Sequence, residues 1–276
     1  MIDCHLHVGH SGRTAEETLD HCRGIGADAA WILALEAREK PNNCFFPTDD
    51  VMALYEQAPS VVVPFCSVDP RDDDALKRVE AYAKAGCRGF GDHSPALAVD
   101  EPLSKQLYKA CGELGLPVML QLVEYQCNYN CLDLPYVLEE FPKTTFIAHG
   151  PSFWSYIEMA PNPPDGYPEG PIREAGPAMQ WLADFPNLYA DVSGQAGLNA
   201  LTRDEDFARE EILGKQGQKL LFGTDCPCFD GHGAGFWKGC YGEKLLAALE
   251  SLAPSQEVLL GVLHNNAVRL VPLQAK

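Results

Sequence analysis

Short apolar runs rich in β-branched and aromatic residues alternate along the chain with longer stretches whose apolar positions recur at helical spacing. The runs predict eight strands, over residues 2–8, 28–35, 61–68, 87–92, 117–123, 144–149, 188–193 and 219–225. Helices are predicted to begin near Thr14, Thr48, Asp72, Glu101, Leu134, Ile172 and Thr202, with closing helices over 243–252 and 255–270. Ser11 to Thr14 ahead of Ala15-Glu16-Glu17, Thr48-Asp49-Asp50 and the run Asp72-Asp73-Asp74 supply caps and favourable charge for helix starts. His7 and Asp225 lie 218 residues apart across seven repeats, or about 31 per repeat, the size of a βαβ unit. Eight such units predict an α/β fold, a single-domain (β/α)8 TIM barrel over residues 1–276. The competing open, doubly wound sheet needs a glycine-rich phosphate turn after its first strand, and His5-Leu6-His7-Val8-Gly9 does not provide one.

Composition narrows the function. Of the 276 residues 46% are hydrophobic and 22% charged, which argues against a disordered or fibrous chain. The 21 basic against 39 acidic side chains give a net charge of −18, and no Lys/Arg cluster interrupts it. A nucleic-acid or anionic-membrane surface is therefore not expected, since phosphate neutralisation needs a basic patch. Eleven cysteines, an odd number spread from Cys4 to Cys240, argue for free thiols in a reducing cytoplasm. Cys127 with Cys131 and Cys226 with Cys228 lack the paired spacing of structural zinc knuckles. No apolar stretch reaches membrane-spanning length, and Met1 leads directly into a strand, so no signal peptide is expected.

In such a barrel chemistry collects at the carboxyl ends of the strands. Period-two alternation puts Asp3, His5 and His7 on one face of the first strand, with Ile2, Cys4, Leu6 and Val8 facing outer helices. Two imidazoles aimed into one volume point to a metal. Asp225 ends the last strand, which barrel closure brings beside the first. His149 ends the sixth strand, as a ligand, electrophile or proton shuttle. Arg88, Phe90 and Asp92 are expected to share a face of the fourth, where Asp92 is a ligand, an orienting group or a cap. His10, His21, His232 and His264 read as solvated or capping residues, although the loop of His232 overhangs the expected site.

With His5-x-His7, His149 and Asp225 in this order, the chain resembles the amidohydrolase superfamily of metal-dependent (β/α)8 barrels. It is most similar to the branch containing aminocarboxymuconate semialdehyde decarboxylase. Gly86-Cys87-Arg88-Gly89-Phe90, Leu116-Pro117-Val118-Met119-Leu120, Tyr189-Ala190-Asp191-Val192-Ser193 and Asn265-Asn266-Ala267-Val268-Arg269-Leu270 extend the likeness over nearly the whole chain. The resemblance implies that His5, His7 and Asp225 hold a divalent ion, Zn²⁺ above others, that Asp225 and His149 are catalytic, and that the enzyme hydrolyses a small cyclic amide, lactone or ester with a metal-activated water. Nonoxidative decarboxylation of a small unsaturated or aromatic acid is the alternative. The family's fifth-strand histidine is matched by Gln121, whose neutral carbonyl is a poor zinc ligand. That makes Asp92 a substitute ligand and Gln121 a substrate contact, and it keeps open a third reading, a metal-poor barrel that binds a small molecule without catalysis. The partner expected is a small-molecule substrate, with homo-oligomerisation through the outer helices compatible with every reading. Aromatic and proline-rich loops after the fifth, sixth and eighth strands predict the substrate's walls, among them Tyr125, Phe153, Trp154, Tyr156, Tyr167, Phe236 and Trp237, with Arg173, Arg88 or Lys238 to hold a carboxylate.

Overall fold

The computed structural model describes residues 1–40, 44–164, 166–226 and 240–273. Eight strands run parallel in chain order: β1 (Ile2–Leu6), β2 (Ala29–Leu33), β3 (Val62–Cys66), β4 (Gly89–His93), β5 (Val118–Gln121), β6 (Phe146–His149), β7 (Leu188–Val192) and β8 (Leu220–Phe222). Each observed strand falls on a predicted one and is shorter, because the last residues of several runs leave the ladder and turn toward the barrel mouth. The seam between β8 and β1 closes the barrel through one side chain and one backbone bond. The Asp3 carboxylate accepts the Thr224 N–H at 2.9 Å and the Thr224 hydroxyl at 2.7 Å, and the Asp225 N–H donates to the His5 carbonyl at 2.8 Å. Burial pushes the Asp3 carboxyl upward against these bonds, so the seam depends on their completeness.

Gly223 makes the close approach possible. A Cβ there would lie 2.8 Å from the His5 Cβ and 3.0 Å from the His5 nitrogen, contacts that no rotamer can relieve. Gly223→Ala is expected to force the seam apart and cost about 1–3 kcal/mol of stability. Urea unfolding of the two proteins checks this, and equal midpoints would show that the seam has slack.

The helices are α1 (Ala15–Gly24), α2 (Thr48–Gln57), α3 (Ala75–Ala85), α4 (Pro102–Leu114), α5 (Leu134–Glu140), α6 (Pro151–Ser155), α7 (Pro177–Asp184), α8 (Gly194–Thr202), α9 (Glu205–Phe207), α10 (Tyr241–Leu252), α11 (Gln256–Leu260) and α12 (Asn266–Leu270). α1 starts as its sequence requires: Thr14 Oγ1 accepts the Glu17 N–H at 3.2 Å while Glu17 accepts the Thr14 N–H at 2.8 Å, a reciprocal capping box. One predicted start is displaced. The helix expected near Ile172 begins at Pro177, because the residues before it are tied elsewhere: Ile172 N–H donates to Asp204 at 2.8 Å, the chain bends at Arg173 and Glu174, and Ala175 bridges to Glu158. The helix expected near Thr202 is found from Glu205, capped by Asp204 and continuing to Lys215, and an additional helix, α8, precedes it from Gly194 to Thr202. The Gly-x-x-Gly start of α8 resembles a loop in sequence, yet a Cβ on Gly197 would lie 2.4 Å from the Val192 carbonyl carbon, so the glycine lets α8 press against β7.

Apolar side chains form an inner and an outer layer. Trp31, Leu33, Phe65, Met119, Ile147 and Leu221 fill the barrel, and the outward faces of the strands pack on the helices. Strict alternation fails in two strands. Cys4 packs inside with Ile2, while Leu6 and Val8 pack outward, because β1 slips register between Asp3 and Leu6. Phe90 faces the outer layer although Asp92 faces the mouth, across a similar slip between Phe90 and His93. Among the described residues, no helix is long and apolar enough to cross a membrane.

Candidate metal and catalytic site

The carboxyl ends of β1, β4, β6, β7 and β8 deliver six charged or imidazole side chains to one buried volume: His5, His7, Asp92, His149, Asp191 and Asp225. At its base lies Asp191 of β7, fully buried, whose carboxylate accepts His5 Nδ1–H at 2.7 Å, His149 Nδ1–H at 2.9 Å and the Ser193 hydroxyl at 2.8 Å. Holding both rings by Nδ1 turns both Nε2 atoms the same way, and the ring centroids stand 4.1 Å apart. His7 is oriented independently: its Nδ1 donates to the Leu33 carbonyl at 2.8 Å and its ring stacks on Phe46. Asp225, 28% exposed, faces both other rings, with Oδ1 3.8 Å from His5 Nε2 and Oδ2 3.9 Å from His149 Nε2. Its backbone is left-handed, with φ of 42°, a conformation that aspartate tolerates better than most residues.

Charge is balanced within the cluster. Burial raises the Asp191 carboxyl, but His149 and His5 outweigh it and hold the group well below the usual carboxylate range. Burial disfavours the His5 imidazolium, and Asp191, Asp225 and Asp92 reverse that, bringing its pKa to about 10. Asp92 is pushed up by burial to about 6 despite the neighbouring His149 and His5. Burial, reinforced by His5 and His10, keeps His7 neutral.

This donor set fits a cation. Buried His5 Nε2 and Asp92 Oδ1 have no hydrogen-bond partner among the described residues, a costly omission unless something else occupies the space between them. One ligand atom from each of His5, His7 and Asp225 lies within 4.8 Å of the others, and the same holds for His5, Asp92 and His149. Nδ1 bonded to a carboxylate with Nε2 free is the arrangement that orients a ligating histidine.

Gln121 stands opposite His149 in the β5–β6 ladder, accepts the Ser94 hydroxyl at 2.8 Å, and lines a cavity of about 290 Å³ with His149, Gln126, Tyr167, Gln195 and Asp225. Trp154 stands elsewhere. It is 2% exposed within the outer layer, and its indole N–H donates to the Asp191 carbonyl at 2.8 Å, so it braces β7 and does not line the cavity. Phe153 is likewise buried in the outer layer, and Tyr125 is 79% exposed. Arg173 is exposed and absent from the cavity wall. Arg88 lies at the opposite end of the barrel, bonded to the Pro272 carbonyl at 3.0 Å, because it precedes its strand. His232, Phe236, Trp237 and Lys238 lie outside the described residues. The strand-end pattern does not single out Asp191 or Ser193, although a carboxylate within an apolar strand, Leu188–Val192, is a visible sign.

His93, beside this cluster but turned toward Tyr108 and Ser104, has another consequence. Burial lowers its pKa to about 3, so the folded chain refuses a proton that the unfolded chain takes up near pH 6.5. Its contribution to stability is therefore intact above pH 6.5 and shrinks as pH falls toward 3. Relative to His93→Gln, the wild type is expected to lose about 2 kcal/mol between pH 7 and pH 5 in denaturant unfolding. Parallel pH profiles for the two proteins would contradict this.

The family model described as amidohydrolase matches residues 2–273. The chain belongs to the amidohydrolase family. It is accordingly a metal-dependent enzyme, a hydrolase or a decarboxylase, as the sequence resemblance implied. No curated protein matches this amidohydrolase in sequence. Among solved structures, an uncharacterised TIM-barrel protein from Bordetella bronchiseptica is 17% identical, covering 98% of this chain and 97% of its own, with a TM-score of 0.68. A probable 2-pyrone-4,6-dicarboxylic acid hydrolase from Acinetobacter baumannii, with citric acid bound, is 15% identical over 98% of each chain, with a TM-score of 0.64. A dihydroxybenzoic acid decarboxylase from Polaromonas, with bound manganese and an inhibitor, is 12% identical over 98% and 96%, with a TM-score of 0.60. At these identities the likeness is one of fold.

Proposed function

We propose that this amidohydrolase hydrolyses a small, uncharged cyclic ester or amide, using a zinc ion held by His5, His7 and Asp225, with Asp92 as a further ligand. The observation that carries the reading is the orphaned Nε2 of His5, which Asp191 aims into a volume shared with Asp225 and His149. Imidazole nitrogens with a carboxylate form a donor set that zinc favours. Such an ion supplies a Lewis acid that brings the pKa of water to about 7 and polarises a carbonyl oxygen.

The protein's own groups divide the remaining work. Asp225 Oδ2, at the open side of the site, takes the proton released as water attacks. His149 Nε2, 3.9 Å from that oxygen, holds the proton and returns it to the departing oxygen or nitrogen. Asp191 keeps both imidazoles in register during the transfer. The cavity wall supports an uncharged substrate: Gln121, Gln126 and Gln195 offer amides, and no lysine or arginine lines it among the described residues. A carboxylate-bearing substrate normally meets a cationic fork.

The test begins with elemental analysis of protein purified without chelators, followed by reconstitution with Zn²⁺ or Mn²⁺. Each form is then offered lactones, cyclic amides and hydroxybenzoic acids. Metal-dependent ring opening is expected, together with thermal stabilisation corresponding to about 2.7 kcal/mol at a metal concentration 100 times Kd. Release of CO2 from the acids without ring opening would make the enzyme a decarboxylase. Metal-free protein with no shift and no turnover would favour the binding barrel.

A further inference from the structure

A second set of metal-ligating side chains lies outside the site described above and shares no residue with it. Cys226 directly follows Asp225, Cys240 directly precedes α10, and His21 sits in the last turn of α1. Their sulfur and ring-nitrogen ligand atoms lie within 4.8 Å of one another, and the two sulfurs stand 3.1 Å apart. Both cysteines are 1% exposed and Ile25 packs against them, while His21 is half-buried with Nε2 3.4 Å from Thr224 Oγ1.

We propose that His21, Cys226 and Cys240 form a second, thiolate-containing site for a zinc-like divalent ion. Two thiolates and a neutral imidazole bring a divalent cation to zero net charge, which lowers the cost of holding it beside two buried sulfurs. Three protein donors hold a tetrahedral ion and leave one position for a solvent molecule. At zinc–sulfur distances of about 2.3 Å the sulfurs of such a centre stand about 3.8 Å apart, so the pair opens by roughly 0.7 Å, within reach of small side-chain rotations. The ion ties α1 to Cys226, the residue next to Asp225, and to Cys240 at the start of α10. The sequence conceals this site, since its members are separated by 205 and 14 residues and only barrel closure brings α1 beside the end of β8.

Cobalt distinguishes the two sites, because only one of them contains sulfur. The full chain, fully reduced and loaded with Co²⁺, is expected to bind two equivalents and show a thiolate-to-cobalt charge-transfer band in the near ultraviolet. Cys226→Ser with Cys240→Ser should bind one equivalent and lose the band, while His5→Ala with His7→Ala should retain it. Absence of the band from the reduced wild type overturns the proposal, as does its persistence in the double serine variant. Should that variant not fold, His21→Asn serves, with an expected fall of at least tenfold in cobalt affinity read from the same band; an unchanged affinity overturns the assignment of His21.

Discussion

Replacing Asp225 with asparagine is expected to lower kcat by about 10²–10⁴-fold, the range associated with loss of a positioned acid–base group. Asparagine matches the carboxylate in size and tolerates the same left-handed backbone, so the φ of 42° and the N–H bond to the His5 carbonyl are preserved. What disappears is the proton acceptor facing His149 Nε2 and one anionic donor facing His5 Nε2. The two losses separate by measurement: kcat is determined at saturating metal, where occupancy is restored, and occupancy itself is read by elemental analysis. An unchanged kcat at full occupancy would remove Asp225 from the proton transfer and move that role to His149 or Asp92.

The second large effect is expected at Asp191, which does not itself line the cavity but lies behind two residues that do, His149 and Ser193. Its carboxylate accepts from His5, His149 and Ser193 at once, and an amide of the same shape cannot, because its nitrogen would face one imidazole N–H. Asp191→Asn therefore leaves a buried imidazole facing a donor, and the unfolding free energy should fall by about 3–5 kcal/mol, the cost of breaking a buried charge pair from one side. Metal affinity should fall by about 10–100-fold through loss of ring orientation. Denaturant unfolding of the metal-free protein and competition with a chelator read the two effects separately. A variant with normal stability and normal affinity would show that Asp191 is a bystander.

Trp154 gives that account a structural floor. Its indole N–H bonds the Asp191 carbonyl, so an aromatic that the sequence placed in the substrate wall instead anchors the strand carrying the central carboxylate. The error has a simple origin. A loop rich in Phe, Trp, Tyr and Pro has the same composition whether its rings face a ligand or the outer helices, and here Phe153 and Trp154 lie on α6, pressed into the outer layer. Tyr167, from the same loop, does reach the cavity.

Strand number, strand order and most helix starts were legible because they depend on neighbouring residues: β-branched runs, capping groups and a repeat of constant length. His5, His7, His149 and Asp225 stood out for the same reason, as polar groups ending apolar runs. Local pattern does not count register slips, and one slip reverses every face assignment beyond it, which is why Cys4 and Phe90 point opposite to their expected sides. Nor does it contain distance across the barrel. The bridge from Asp191 to two strands, the seam tied by Asp3 and the meeting of His21 with Cys226 and Cys240 each join residues remote in the chain. Such pairings are set when eight strands close into a ring and their side chains compete for one small interior, a choice made by packing and by the need to satisfy buried polar groups.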